Sequence, residues 1–261
     1  MKNNLTKFKG FIIDLDGVIY LDKKLIPFSK KFIDYLNYKK KKYVFLTNDS
    51  SVSPNEYSKI LLKLGIECQK EQVITPITNF LDMIEKKELD NNRIMTFCSR
   101  KLKNYIRSSK VKIIEDVLKF KDSESILVSG NINFNYKDLM YASLCVQNGA
   151  KLLTTSIDNT YPSELGNLPA TGALVAAITK TFPTSVVNLG KPSKRIFNLA
   201  KNKLNLKKSE ILTIGDNLMT DIAGSNSVGI ESALVLTGKT SRSILKESKI
   251  KPTYTMKNLK I

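Results

Sequence analysis

The 261-residue sequence contains no histidine and no tryptophan. The absence of histidine excludes imidazole ligands for zinc, catalytic sites of the Ser-His-Asp and Cys-His types, and phosphatases that use a histidine nucleophile. Acid–base chemistry in this chain must therefore use carboxylates, lysine, tyrosine or cysteine.

Cysteine is scarce, with three residues that lie far apart in the sequence: Cys68, Cys98 and Cys145. This usage fits a reducing compartment better than a disulfide framework or a zinc site. A phosphatase with a cysteine nucleophile needs an arginine six positions later, and none of the three cysteines has one. We therefore expect the thiols to serve as small core hydrophobes.

Long apolar runs are also missing. No run approaches the ~18 residues of a membrane span, and the N-terminal segment reaches Asp14 and Asp16 before the apolar stretch of a signal peptide is complete. We expect a soluble, cytoplasmic protein without a membrane partner.

Negative charge is in deficit, because 42 lysines and arginines face 24 acidic residues, for a net charge of +18. Such a surface attracts anions, including phosphate, nucleic acid and anionic lipid. The lysines, such as the run at 39–42, are scattered and are not interleaved with arginine or aromatic residues. This pattern favours a solvated surface over a specific nucleic-acid interface.

Short apolar runs alternate with amphipathic stretches, which is the pattern of parallel strands joined by helices, so the predicted class is α/β. Strands are predicted at 10–15, 43–47, 94–98, 111–115, 125–129, 151–155, 185–189, 210–214 and 232–236. Helices are predicted at 29–38, 55–64, 136–148, 194–202 and 241–246.

Two carboxylates, Asp14 and Asp16, follow the first predicted strand. Strand alternation turns both to one side at the end of the sheet where open α/β proteins bind ligands. Carboxylates this close repel each other unless a divalent cation or a proton lies between them. A solvated strand-to-turn junction is the other interpretation of this segment. An EF-hand loop is excluded because Val18 occupies position five of the loop, where an oxygen ligand is required.

Polar residues follow three further predicted strands. They are Thr47 and Asn48, then Lys191 in a Gly-Lys-Pro-Ser segment, then Asp216 and Asp221 around a helix start. Taken singly, each has an ordinary interpretation as a turn or cap residue, a solvated lysine, or a first-turn acid favoured by the helix dipole.

Taken in order, the motifs are Asp-x-Asp-Gly, Thr-Asn, Gly-Lys-Pro and Gly-Asp-x-x-x-x-Asp, and this set resembles the haloacid dehalogenase superfamily. The resemblance covers nearly the whole chain and is closest to the NagD-type branch, which includes p-nitrophenyl phosphate, nucleotide and sugar phosphatases. Supporting segments lie at 11–20, 46–51, 169–178, 189–193 and 213–222. The resemblance implies a doubly wound, Rossmann-like parallel-sheet core with an inserted α/β cap domain.

The spacing of the motifs locates that cap. Asp14 and Thr47 are 33 positions apart, which leaves room for one helix and a short loop, whereas Asn48 and Lys191 are 143 positions apart. The longer interval accommodates a whole α/β domain. We therefore predict a catalytic core at 1–77 plus 184–261 and a cap that determines substrate specificity at 78–183.

The resemblance also implies roles for the acidic residues. Asp14 is the expected nucleophile, and Asp16 is expected to protonate the leaving oxygen and then to take a proton from water. Dehalogenating relatives lack this second carboxylate, so phosphoryl transfer is expected. Mg²⁺ is the expected cofactor, held by Asp14, the backbone carbonyl of Asp16, and Asp216. Asp221 is expected either to support these ligands without itself binding the metal, or to be only a first-turn residue that the helix dipole favours.

Phosphate is expected to bind Thr47, Asn48 and Lys191. In the cap, relatives commonly carry Thr-Asn-Pro-Asp where this chain has Thr-Ser-Ile-Asp at 155–158. Asp158 matches and is expected to contact the substrate, whereas the departure at Ser156 and Ile157 concerns specificity and not the reaction centre. A turn residue that caps its own loop is the other interpretation of Asp158.

The expected function is Mg²⁺-dependent hydrolysis of small phosphate monoesters, such as nucleotide monophosphates and sugar phosphates. A small phosphorylated metabolite is the expected partner, and assembly into a homodimer is left open. One alternative is phosphoryl transfer to an acceptor other than water, which product analysis with sugar or nucleoside acceptors would distinguish. Another is a polyanion-binding protein on a phosphatase-like fold, marked by steeply salt-dependent nucleic-acid binding without turnover.

Overall fold

The computed structural model describes residues 5–22, 24–90, 93–163 and 165–260. Its strands are β1 (Gly10–Ile13), β2 (Tyr20–Leu21), β3 (Lys24–Leu25), β4 (Lys42–Leu46), β5 (Val73–Ile74), β6 (Ile94–Phe97), β7 (Ile113–Ile114), β8 (Ser125–Val128), β9 (Lys151–Thr154), β10 (Thr160–Ser163), β11 (Gly166–Pro169), β12 (Val186–Asn188), β13 (Ile211–Gly215), β14 (Glu231–Val235) and β15 (Tyr254–Met256).

Its α-helices are α1 (Ser29–Tyr38), α2 (Pro54–Lys63), α3 (Pro76–Glu85), α4 (Arg100–Ser108), α5 (Tyr136–Gln147), α6 (Thr171–Thr181), α7 (Lys194–Leu204), α8 (Ala223–Ser227) and α9 (Arg242–Glu247). A π-helical turn at Leu218–Ile222 leads directly into α8. Contacts divide the chain into two compact units.

The first unit comprises Met1–Thr47, Pro54–Ile74 and Lys191–Ile261. Its six-stranded sheet is all parallel, in the order β15-β14-β13-β1-β4-β5, and β2 and β3 form a separate antiparallel hairpin. Every residue of β1 is buried, which is typical of a central parallel strand covered on both faces. Because β13 and β4 flank β1, the residues that follow these three strands emerge side by side at one edge of the sheet.

The second unit comprises Asn48–Ser53 and Thr75–Gly190. Its five-stranded sheet is also parallel, in the order β12-β9-β8-β6-β7, and β10 and β11 form a separate antiparallel hairpin. Thr75 caps α3 by accepting a hydrogen bond from the Thr78 amide, with proline at the first helical position. Apolar clusters cover the two faces of this sheet.

The predicted α/β class with parallel strands is confirmed. The predicted helix at 29–38 has the same bounds in the structure, whereas the strand predicted at 111–115 is reduced to the two residues of β7. The division into a catalytic core at 1–77 plus 184–261 and a specificity cap at 78–183 stays a prediction. The second contact unit begins at Thr75, after β5, and also takes in Asn48–Ser53.

Among the described residues, no helix is long and apolar enough to cross a membrane. Residues 1–4, part of the N-terminal segment on which the expectation about a signal peptide rests, lie outside the described residues. Cys98 and Cys145 are buried and Cys68 is half-buried. Burial raises the pKa of Cys68 and of Cys98 to about 11, which keeps both thiols protonated and unreactive at neutral pH.

Candidate active site

Asp14 continues the central strand of the six-stranded sheet. Its amide donates a hydrogen bond to the Ile214 carbonyl over 2.9 Å, extending the pairing of β1 with β13 by one residue. The Leu15 amide donates to Asp14 Oδ1 over 2.8 Å, and the residue is only 7% exposed. The strand therefore holds Asp14 in a defined orientation at the sheet edge.

Lys191 joins two carboxylates. Its Nζ lies 2.7 Å from Asp14 Oδ1 and 2.7 Å from Asp221 Oδ1, and the residue is 3% exposed. Burial by itself would lower the pKa of Lys191, but the adjacent Asp14 and Asp221 outweigh it and raise that pKa above its ordinary value. Lys191 is therefore a permanently charged, immobilised cation at this site.

Asp216 and Asp221 come from β13 and the π-helical turn that follows it. Asp216 is the residue directly after β13, and Asp221 is 1% exposed within the turn. The Asn217 amide donates to Asp221 Oδ2 over 3.1 Å, while the Asn217 side chain accepts from the Met219 amide and caps the turn. The two oxygens of Asp221 are thus bonded to Lys191 and to the backbone of its own loop.

The carboxylates of Asp14, Asp216 and Asp221 each contribute one oxygen to a group within 4.8 Å. Two carboxylates at that separation repel by about 3.5 kcal/mol at an effective dielectric of ~20. Burial, and then the negative charge of Asp221, raise the pKa of Asp14 well above its ordinary value and raise that of Asp216 less strongly. Three carboxylates and one ammonium leave an excess of negative charge, so this oxygen donor set fits a divalent cation such as Mg²⁺.

Asp16 lies beside this cluster. Asp16 is exposed. The turn after β1 is closed by a backbone bridge between Asp16 and Tyr20 and by the Gly17 amide, which donates to the Tyr20 carbonyl over 2.9 Å. The three grouped carboxylates do not include its side chain. Its roles as proton donor and as a metal ligand through the backbone carbonyl stay predictions.

Thr47 is the residue after β4 and is 1% exposed. Its amide donates to the Ile74 carbonyl of β5 over 3.1 Å, so the backbone at this strand end is anchored by the sheet. Its predicted role as a phosphate donor stays a prediction.

Asn48 and Asp158 belong to the second unit. Asn48 Nδ2 lies 3.5 Å from Asp158 Oδ2, and Ser156 Oγ donates to the same carboxylate oxygen over 2.8 Å. The Asp158 amide donates back to Ser156 Oγ over 3.0 Å, and the Gly172 amide donates to the Asp158 carbonyl over 2.8 Å. Asp158 thus stabilises its own turn, and this geometry leaves open both interpretations, the substrate contact and the turn cap.

One segment of the site, residues 237–240 after β14, was not among the residues predicted from the sequence. The Lys239 amide donates to Asp216 Oδ2 over 2.5 Å, and the Thr240 amide donates to the Asp216 carbonyl over 3.1 Å. Thr240 Oγ1 accepts from the Leu218 amide over 3.3 Å. A signal was present, because these polar residues come after a predicted parallel strand just as the four motifs do.

Comparison with known proteins gives two matches to family profiles. Residues 11–112 match the profile described as haloacid dehalogenase-like hydrolase, and residues 188–260 match one described as HAD-hydrolase-like. Together these segments contain Asp14, Asp16, Lys191, Asp216 and Asp221.

Individual relatives align over almost the whole chain. An acid sugar phosphatase of Staphylococcus haemolyticus is 32% identical over 264 residues, covering 100% of this chain and 96% of the relative. The crystal structure of a 4-nitrophenylphosphatase from Thermotoga maritima is 28% identical with a TM-score of 0.90, covering 98% and 96% of the two chains. A glycerol phosphate phosphatase from Mycobacterium tuberculosis, solved in complex with magnesium, shares the fold at 24% identity and a TM-score of 0.88, covering 98% and 76%.

Proposed function

Since this chain belongs to the haloacid dehalogenase-like hydrolases and is a phosphatase of that family, we propose that it hydrolyses small phosphate monoesters with Mg²⁺ through an aspartyl-phosphate on Asp14. Its NagD-type resemblance and Rossmann-like fold are confirmed by the acid sugar phosphatase and 4-nitrophenylphosphatase relatives. Sugar phosphates and aryl phosphates are therefore the first substrates to test. A cytoplasmic location and a homodimer stay predictions.

One observation carries the proposal: a buried lysine bridges the carboxylate at the end of the central strand to a second carboxylate, within a group of three. A purely structural role explains this arrangement poorly, because burying three carboxylates costs more than their ion pairs with a single lysine return. The energetic cost is accounted for if the cluster binds a cation and a phosphate. Perturbed titratable groups of this kind are typical of catalytic sites.

Mg²⁺ would be held by the carboxylates of Asp14 and Asp216 and by the backbone carbonyl of Asp16, with Asp221 behind them. When bound, Mg²⁺ supplies positive charge that offsets the repulsion between the carboxylates and the phosphate ester. Lys191 contributes a second, fixed positive charge, 2.7 Å from Asp14 Oδ1. Thr47 and Asn48 are proposed to donate hydrogen bonds to the phosphate oxygens.

In the first step, a carboxylate oxygen of Asp14 forms a bond to phosphorus while the bond from phosphorus to the ester oxygen breaks. Asp16, protonated at that stage, transfers its proton to the departing alkoxide and becomes a carboxylate. In the second step Asp16 takes a proton from water, whose oxygen attacks phosphorus while the bond from phosphorus to the Asp14 oxygen breaks, which releases inorganic phosphate. Asp14 is then a free carboxylate again, and Asp16 has its proton back.

A panel of phosphate esters tests the proposal. The purified protein is incubated with p-nitrophenyl phosphate, sugar phosphates, nucleoside monophosphates, phosphoglycolate and pyridoxal phosphate, with and without Mg²⁺, and released inorganic phosphate is measured. We expect release from at least one ester in the presence of Mg²⁺. Absence of phosphate release from every ester, by a protein that melts cooperatively, would contradict the proposal.

Asp158→Ala addresses specificity. If Asp158 contacts the leaving group, kcat/KM should fall by different factors across the panel, while a small activated ester such as p-nitrophenyl phosphate is hydrolysed nearly as before. Ser156→Ala is the matched control, because it removes the hydroxyl that donates to Asp158 Oδ2 and leaves the carboxylate in place. Equal losses on every ester in both variants, with lowered melting temperatures, would instead assign Asp158 to its turn.

A further inference from the structure

Two glycines from distant parts of the chain face each other across the Asp216 carboxylate. Gly17 follows the Asp-x-Asp motif, and Gly238 follows β14. A Cβ built on Gly17 would lie 2.8 Å from Asp216 Cγ and 3.0 Å from Gly238 Cα. A Cβ built on Gly238 would lie 2.7 Å from Asp216 Cγ and 2.8 Å from Gly17 Cα. Side chains therefore fit at neither position without moving Asp216 or the backbone.

Hydrogen bonds connect residues 237–240 to the turn after β1 and to the Asp216 carboxylate. Thr237 Oγ1 donates to the Gly17 carbonyl over 2.6 Å, which ties residues 237–240 to the turn after β1. The Lys239 amide donates to Asp216 Oδ2 over 2.5 Å. A Cβ on either glycine would also conflict with Asp216 Oδ2, the same oxygen that accepts the hydrogen bond from the Lys239 amide.

We infer that residues 237–240 are a positioning element that sets the orientation of the Asp216 carboxylate and thereby the affinity of the site for a divalent cation. The inference deepens the proposed function and rests on it, since it presumes that Asp216 is a metal ligand. No residue of the element needs to touch the metal or the substrate. Its effect passes through the Lys239 amide and through the space that Gly17 and Gly238 leave for the carboxylate.

Gly238 is the sharper probe of the two glycines. Gly17 has a φ of +74°, so alanine there would add backbone strain to the steric conflict, whereas Gly238 has no such left-handed φ. The backbone at 238 is exposed and can shift outward to relieve the conflict. Such a shift draws the adjacent Lys239 amide away from Asp216. The carboxylate therefore loses its orientation whether the new Cβ displaces it directly or the backbone moves instead.

The experiment measures Mg²⁺ affinity by isothermal titration calorimetry without substrate, for the wild type and for Gly238→Ala. We expect the Kd for Mg²⁺ to rise by at least about tenfold in the variant, equivalent to about 1.4 kcal/mol of binding free energy. Phosphatase activity should recover in part at high Mg²⁺ concentration, since the nucleophile is untouched. A cooperatively folded Gly238→Ala protein with the wild-type Kd would overturn the inference.

Gly229→Ala is the matched control. Gly229 lies in the same unit with a φ of +71°, and a Cβ there meets no atom within 4 Å. Alanine at 229 should lower the melting temperature through backbone strain and leave the Mg²⁺ affinity unchanged. Weaker Mg²⁺ binding in this control, equal to that in Gly238→Ala, would mean that general destabilisation explains both and would overturn the inference.

Thr237→Val and Thr237→Ser provide a second test in case alanine at 238 prevents folding. Valine has the shape of threonine without the hydroxyl that donates to Gly17, so Mg²⁺ binding should weaken, and serine should restore it. Equal affinities in valine, serine and wild-type proteins would refute the inference. If the wild type itself binds no Mg²⁺, the proposed metal dependence fails instead, and the two failures remain distinguishable.

Discussion

Asp14→Asn is expected to lower kcat by at least roughly a thousandfold, as losses of a catalytic nucleophile do in other enzymes. The amide keeps the size of the carboxylate but lacks the charged oxygen that would attack phosphorus. Folding should survive, because burial and Asp221 raise the pKa of Asp14. With its pKa raised in the folded state, ionisation of Asp14 at pH 7 costs stability, and the amide removes this cost.

The measurement is kcat on the best ester of the panel, with the melting temperature recorded alongside. Asp34→Asn is the control, since Asp34 is an exposed helical residue paired with Lys30. That variant should retain wild-type kcat. Near-normal turnover by Asp14→Asn would remove Asp14 from the role of nucleophile, as would a trapped phosphoryl group found on another residue by mass spectrometry.

Removal of divalent cations should lower kcat by about a hundredfold or more. Without the cation, three buried carboxylates face the phosphate and only Lys191 offsets their charge. Added Mg²⁺ should restore the rate. Mg²⁺ should also raise the melting temperature of the substrate-free protein, since a ligand that binds only the folded state stabilises it.

Asp216→Ala is the matched variant for this experiment. It should show neither the restored rate at ordinary Mg²⁺ concentrations nor the rise in melting temperature, whereas Asp34→Ala, which changes an exposed carboxylate, should behave as the wild type. Full wild-type activity after exhaustive chelation would rule out the metal.

The sequence alone was sufficient to place Asp14, Lys191 and Asp216 in one site. Asp14 and Asp216 follow β1 and β13, which are neighbours in one parallel sheet, so local pattern and sheet geometry together bring these two residues close. Lys191 follows β12, a strand of the five-stranded sheet, so only its place in the order of the motifs assigned it to this site. The helix at 29–38 was predicted for a similar local reason, since its apolar spacing is visible within ten residues. The two-residue strand β5 was not predicted, and the strand predicted at 111–115 is only two residues long as β7, because neighbouring strands and not their own length stabilise such short strands.

The tertiary structure alone decided how the charged groups pair. Sequence spacing left Asp221 between a supporting role and a helix-dipole role, whereas the fold brings its Oδ1 to 2.7 Å from Lys191 Nζ. The fold also places the Lys239 amide on Asp216 and brings Gly238 against Gly17, far away in the chain. Backbone amides carry no residue-specific signal, and close approaches between distant loops depend on how the whole sheet packs. A short stretch of sequence can place residues 237–240 after a strand, but it cannot show which groups of the site they contact.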